Sequence, residues 1–315
     1  MTFRHLPLLL AFPMALAACA PRARTSASPS PGGASLTVAQ VLESATDADW
    51  EEIASQNLLV MALPKGRVLL ELAPAFAPMH VANIVQLAHD GYFDGLAIVR
   101  TQDNYVVQWG DPNAEEPAAK PLGSAKSKLP AEFVARLDSA PFTPLVDVDT
   151  YAQETGFSLG FPAAQDLAKH ERWLPHCYAM VGAGRNEAPD TSNGAELYVV
   201  IGQAPRHLDR NMTMVGRVVA GMDLLSSLPR GTGAMGFYRD ASERTPLVNV
   251  RLASEFPSET RPRLERLRTD TATFAAYLGA RRSRREPFFV EALDRLDVCN
   301  VQLPTREPQR PLQTR

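Results

Sequence analysis

Cysteine is scarce in this chain, with three in 315 residues, too few for a disulfide scaffold or a four-cysteine zinc site. A basic surplus is also absent. Lys and Arg number 32 against 35 Asp and Glu, for a net charge of −3. That excludes an electrostatic nucleic-acid binder, because no positive charge is left over to neutralise phosphates. The apolar run Leu6 to Ala18 falls short of the roughly 20 residues that a membrane-spanning helix needs. No internal repeat is found, and the spacing of His170, His176 and Cys177 matches no metal pattern. Neither a metal nor a cofactor is expected. What is present, 45% hydrophobic residues and 21% charged, suffices for one large globular domain or two small ones. The 26 prolines belong in loops and tails.

Arg4 and His5 precede the apolar run, and small residues end it. Residues 1–18 therefore read as a secretory signal. Leu16-Ala17-Ala18-Cys19 resembles the bacterial lipobox, whose cysteine is lipidated and becomes the first residue. A plain signal peptide cleaved nearby is the alternative. Residues 19–36 carry Pro21, Pro29, Pro31, Gly32 and Gly33 among Ser, Thr and Arg, the composition of a flexible tether. Ala20 and Pro21 offer no retention aspartate. By analogy with lipoprotein sorting this points to the periplasmic face of the outer membrane, with a soluble periplasmic protein as the alternative. With Cys19 used for the anchor, Cys177 and Cys299 are expected to pair in an oxidising compartment, two free thiols being the alternative.

Residues 37–254 read as a β-rich domain. Thr37 caps a short helix from Val38. Leu58–Leu63 and Val68–Leu72 are apolar runs separated by Pro64-Lys65-Gly66-Arg67, a hairpin signal. Pro78 opens an amphipathic helix in which Val81, Ile84, Val85 and Ala88 recur at helical spacing. Further strands are predicted at 97–101, 105–108, 178–181, 197–201, 213–218 and 248–252, with a short helix at 222–228. Residues 113–175 have weak periodicity and are assigned to loops, with an insertion at about 144–175. Residues 255–315 hold twelve Arg, no Lys and nine Asp and Glu. They form a separate Arg-rich extension, predicted helical at 261–278 and 287–296.

Three groups of segments carry the reading further. The first is Glu71-Leu72-Ala73-Pro74 through Val81-Ala82-Asn83 to Gly91-Tyr92-Phe93-Asp94-Gly95. The second is Ile98-Val99-Arg100-Thr101 followed by Tyr105-Val106-Val107-Gln108-Trp109-Gly110-Asp111-Pro112. The third runs from Tyr178-Ala179-Met180-Val181 through Ser192-Asn193-Gly194 and Leu197-Tyr198-Val199 to Leu208-Asp209 and Val215-Gly216-Arg217-Val218. In this order, over residues 56–253, they resemble cyclophilin-type peptidyl-prolyl isomerases. The resemblance implies a mainly β fold: a closed eight-stranded antiparallel barrel capped by two helices, here with a helical C-terminal extension.

It also implies a site. Arg100 matches the family's catalytic arginine and Gln108 the glutamine that orients it. Tyr105, Val106, Tyr198 and Leu208 fall where the family lines its proline pocket, with Met180 on the adjoining strand. Gly182 takes the position whose backbone holds the substrate carbonyl. The residue types suit the chemistry. Amide rotation is opposed by a barrier of about 18–20 kcal/mol, and a guanidinium donating to the pyramidal proline nitrogen favours the twisted state over the flat one. Departures are Met212 in place of a pocket histidine, His207 in place of a large apolar residue, Glu196 in place of glutamine, and Trp109 in place of a glycine. Glu196 is expected to pair with Arg100, and Asp209 to be a turn residue. The implied partners are proline-containing polypeptides and, through the anchor, a membrane, with the protein a monomer. A catalytically weak proline-binding module or envelope chaperone is the competing function, and a structural lipoprotein a third.

Overall fold

The computed structural model describes residues 36–292 and 294–308. The leader and Cys19 lie outside the described residues, as does the tether except for Leu36. Helix α1 (Val38–Glu43) is capped by Thr37, whose Oγ1 accepts the Gln40 N–H while the Gln40 side chain accepts the Thr37 N–H; this reciprocal pair satisfies two otherwise orphaned donors. Strand β1 (Trp50–Glu52) leads into β2 (Leu58–Leu63) and β3 (Gly66–Leu72). These two close a hairpin on Pro64-Lys65, with Leu63 opposite Gly66. Helix α2 (Pro78–His89) begins on proline and buries Val81, Ile84, Leu87 and Ala88.

Strands β4 (Ala97–Thr101) and β5 (Val106–Gly110) follow. The stretch assigned to loops instead contains five strands: β6 (Ala135–Arg136), β7 (Thr143–Leu145), β8 (Glu154–Ser158), β9 (Phe161–Asp166) and β10 (Glu171–Trp173). They form their own antiparallel sheet in the order β6-β10-β9-β8-β7. Its central hairpin turns on Leu159 and Gly160, both at positive φ (50° and 77°). That geometry favours Asn-Gly or Asp-Gly, so a leucine there gives no turn signal. Strand β9, with Pro162, Ala163 and Ala164, also lacks β-branched residues.

The chain returns through β11 (Met180–Ala183), β12 (Leu197–Val200), β13 (Met214–Ala220), helix α3 (Met222–Ser226) and β14 (Asn249–Leu252). Eight strands make one antiparallel sheet, ordered β14-β2-β3-β13-β11-β12-β5-β4. The sheet curls without closing, so the expected closed barrel is corrected to a half-barrel. Edge strands β4 and β14 do not pair; the segment before β14 spans the gap. Leu247 donates to the Leu96 carbonyl at 2.8 Å and Ile98 to that of Thr245 at 2.9 Å. Pro246, opposite Ala97 in an isolated bridge, has no N–H to continue a ladder.

The C-terminal segment is not the helical extension expected. Strand β15 (Glu265–Leu267) interrupts the first predicted helix, and among the described residues of this segment only α4 (Ala272–Ser283), capped by Thr271, is an α-helix. Residues 287–292 and 294–296 form no helix. Strand β16 (Thr305–Arg306) completes a three-stranded sheet, β1-β15-β16. Partner strands and ion pairs overrode helical periodicity here. Arg263 bonds Glu52 at 2.5 Å, Arg266 bonds Glu51 at 2.9 Å and the buried Glu71, and Arg306 bonds Asp47 at 2.8 Å. Cys177 and Cys299 form a disulfide across a sequence separation of 122.

The strand period of two puts successive residues on opposite faces. Apart from a small cluster of Leu58 and Val60 with Ile53, Ala253 and Leu264, the sheet's buried apolar residues fall into two main cores. Leu197 and Val199 face inward with Val107, Trp109 and Ile84. The outward residues Val106, Met180, Tyr198 and Met214 pack in a second cluster with Phe157 and Phe161 of the insertion and Phe274 and Tyr277 of α4. Trp109, 2% exposed, fills the inner core where a glycine was the family expectation.

Candidate active site

Arg100 and Gln108 face each other across the β4/β5 ladder, at a register shift between Ile98 and Arg100. Such irregularities re-aim a side chain. The half-buried guanidinium is held on every arm. Its Nε donates to the Met235 carbonyl at 2.7 Å, one terminal nitrogen to Gln108 Oε1 at 3.1 Å, and the other to Gln102 Oε1. The rings of Tyr105 and Phe237 flank it, with centroids 5.4 and 5.2 Å from the guanidinium carbon. Burial lowers its pKa from the ordinary value, while Tyr105 and Glu196 oppose the shift; arginine remains a cation.

Gln108 is the hub of this cluster. Its Nε2 donates to Glu196 Oε1 while its Oε1 accepts from Arg100. The expected ion pair between Glu196 and Arg100 is therefore replaced by a relay. The strand order dictates this, since β5 lies between β4 and β12 and places Gln108 opposite both Arg100 and Tyr198. Glu196 fits because Gly110 and Gly184 flank it; a Cβ on Gly184 would come within 2.8 Å of Glu196 Oε1. Burial pushes the Glu196 carboxyl above its ordinary pKa, against the Gln108 hydrogen bond, and the nearby Glu115 adds to the rise. A cavity of about 310 Å³ opens beside it, lined by Tyr92, Asp111, Glu115, Lys120, Arg185 and Glu196 among others.

Four of the five expected wall residues, Tyr105, Val106, Met180 and Tyr198, meet in the outer cluster, together with Met212, which stands in place of the pocket histidine. Leu208 lies half-buried on the 3-10 turn Arg206–Leu208, outside that cluster, and His207 on the same turn is exposed. Gly182 stands opposite Tyr198, and the space a Cβ would need there is filled by the end of the Tyr198 ring.

The sequence reading missed Gln102, Phe237 and the Met235 carbonyl, and it assigned Asp209 to a turn. That role is too small. The Asp209 carboxylate accepts from the His176 N–H and His176 Nδ1 (both 3.0 Å), Trp173 Nε1 (3.2 Å) and Arg206 Nε (2.6 Å). Burial alone would raise its pKa, but the His176 bonds and the Arg206 charge outweigh that and hold it below the ordinary value. His176 Nε2 lies 2.9 Å from the Tyr198 hydroxyl. The Asp209 carboxylate can only accept, so His176 Nδ1 carries the hydrogen, and Nε2 of the neutral ring is the acceptor for the Tyr198 O–H. Burial pushes the Tyr198 phenol pKa upward. Only the loop location of Asp209 was legible beforehand; its burial and its partners, which come from separate segments, were not.

Comparison with known proteins agrees with this geometry. A family model described as cyclophilin type peptidyl-prolyl cis-trans isomerase/CLD matches residues 58–254. A protein of Brucella suis named a probable peptidyl-prolyl cis-trans isomerase is 27% identical over 179 residues, covering 57% of this chain and 74% of its own. A peptidyl-prolyl cis-trans isomerase-like 1 protein of Gibberella zeae is 24% identical over 194 residues, covering 62% and 90%. The crystal structure of cyclophilin AquaCyp293 from Hirschia baltica superposes with a TM-score of 0.66 at 28% identity, covering 82% of this chain and 95% of that one. That coverage extends beyond the eight-stranded sheet. With the Arg100–Gln108 pair on adjacent strands and the family match spanning the whole curled sheet, the chain belongs to the cyclophilin-type peptidyl-prolyl cis-trans isomerases.

Proposed function

We propose that the protein accelerates cis/trans isomerisation of X–Pro bonds in exported polypeptides, held at the cell envelope by a lipid on Cys19. The observation that carries the catalytic part is the fixed guanidinium of Arg100, which is bonded to two side-chain amides and a carbonyl but to no carboxylate directly. Its charge stays available to a proline nitrogen. In the flat amide that nitrogen's lone pair is delocalised; in the orthogonal state it localises and accepts an N–H from Arg100. The bond thus forms only as the barrier is climbed. A charged hydrogen bond of about 1.5–3 kcal/mol supplies one to two decades of rate. The rest comes from desolvating the peptide and gripping the ring against Tyr105, Val106, Met180 and Tyr198. No covalent bond is made to the enzyme, so the chemistry calls for no nucleophile.

The test is two-dimensional exchange NMR on an Ala-Pro peptide at a few per cent enzyme. Accelerated exchange supports the isomerase, whereas binding without exchange selects the holding module. The envelope location is tested by radiolabelled palmitate in cells: Cys19→Ser abolishes labelling of the chain, and persistent labelling contradicts the anchor.

A further inference from the structure

We propose that His176 and Asp209 are positioning residues that lock Tyr198 as a rigid wall of the proline pocket, and that this wall sets which imino-acid ring the pocket accepts. The inference rests on the isomerase reading and adds residues that the resemblance does not assign. Tyr198 ends in a hydroxyl that donates to His176 Nε2 at 2.9 Å, and the two rings lie nearly parallel, 11° apart. Both donors on the other side of His176, its backbone N–H and Nδ1–H, go to Asp209 Oδ1. Asp209 is in turn fixed by Trp173 and Arg206, and Arg206 grips Asp149 with two bonds of 2.9 and 3.0 Å.

This chain of bonds is deeply buried: His176 is 0% exposed, Arg206 5%, Tyr198 6% and Asp209 9%. In such surroundings a broken hydrogen bond is not replaced by water, so the tyrosine has one orientation. Its far side is equally confined. The Met214 sulfur lies 3.6 Å from the hydroxyl, and the ring end sits over Gly182. The mount is also rigid, since the residue after His176 is Cys177, cross-linked to Cys299. A wall whose tip is tied down holds the pocket at one width. One whose tip is free shifts to admit a larger ring.

Two peptides identical except for proline or pipecolic acid, the six-membered homologue, read this out. Exchange rates and peptide affinities are measured for wild type, Tyr198→Phe, His176→Leu and His176→Gln. The wild type prefers the proline peptide. Tyr198→Phe and His176→Leu lower the proline-to-pipecolyl ratio of kcat/KM by about two- to ten-fold, mainly through KM for the proline peptide. His176→Gln, whose amide oxygen can accept the phenol proton, restores most of the preference, which a merely structural role would not require. Tyr198→Phe keeps the ring and carries the test if His176→Leu does not fold. An unchanged ratio in a folded, active Tyr198→Phe overturns the inference while leaving the isomerase standing, as does a glutamine no better than leucine. A wild type that turns over neither peptide overturns both.

Discussion

Gln108 stands opposite Arg100 across the β4/β5 ladder, its Oε1 accepting a guanidinium N–H at 3.1 Å. The same amide gives its N–H to Glu196. One carboxylate therefore tunes the arginine at one remove, without the desolvated contact that would neutralise it.

That arrangement gives a signed prediction for Glu196→Gln. The substitution keeps an acceptor for Gln108 and removes a negative charge near Arg100. The rate should rise about two- to five-fold, the scale of a partly screened charge interaction. Lowering the pH through the raised Glu196 pKa should produce the same rise in the wild type and none in the variant. Stability follows the same sign. A carboxyl whose folded pKa lies above its unfolded one favours the native state at low pH, and that contribution is lost as pH rises through the folded value. Glu196→Gln should accordingly stabilise at pH 7 and not at pH 4, as read by urea unfolding at both. An unchanged pH–rate profile in the variant would contradict the relay.

Glu71 is 1% exposed and meets both Arg217, at 3.1 Å, and Arg266. It joins the curled sheet to the C-terminal segment. Burial lowers the pKa of Arg217 to about 10, yet it stays a cation at neutral pH. Glu71→Gln would leave it buried without a counter-charge, at a cost of about 3–5 kcal/mol. Denaturant midpoints check this, and a loss below about 1 kcal/mol would show that the pair is not needed to anchor the segment.

Reducing the Cys177–Cys299 bond, or replacing both cysteines with serine, should cost about 3–5 kcal/mol for a closed loop of this length and lower Tm in a calorimetric scan. Equal Tm values with and without reductant would contradict a structural role for the bond.

How much of this was legible depends on where each signal lies in the chain. The Leu58–Leu63/Gly66–Leu72 hairpin and the Pro78 helix were readable because turn chemistry and apolar period agree within short windows. Arg100 and Gln108 were readable through an ordered set of motifs. The insertion sheet was not, because Leu159 sits at positive φ where turn residues are expected and Pro162, Ala163 and Ala164 form a strand by pairing with β8 and β10 rather than by their own propensity. In the C-terminal segment, pairing of Glu265–Leu267 with Trp50–Glu52 overrode a helical pattern. The Tyr198–His176–Asp209 network was invisible for another reason: strand β12, the segment before β11 and the turn before β13 supply one residue each, and none is unusual in its own window.

The central claim, that Arg100 acts on the twisted amide, is tested most directly by exchange NMR comparing wild type with Arg100→Ala and Arg100→Lys on one proline peptide. The account predicts that alanine lowers the isomerisation rate by about ten- to a hundred-fold and that lysine, lacking the planar fork, recovers only part of it, while peptide affinity changes little. A rate in Arg100→Ala equal to that of the wild type would contradict it.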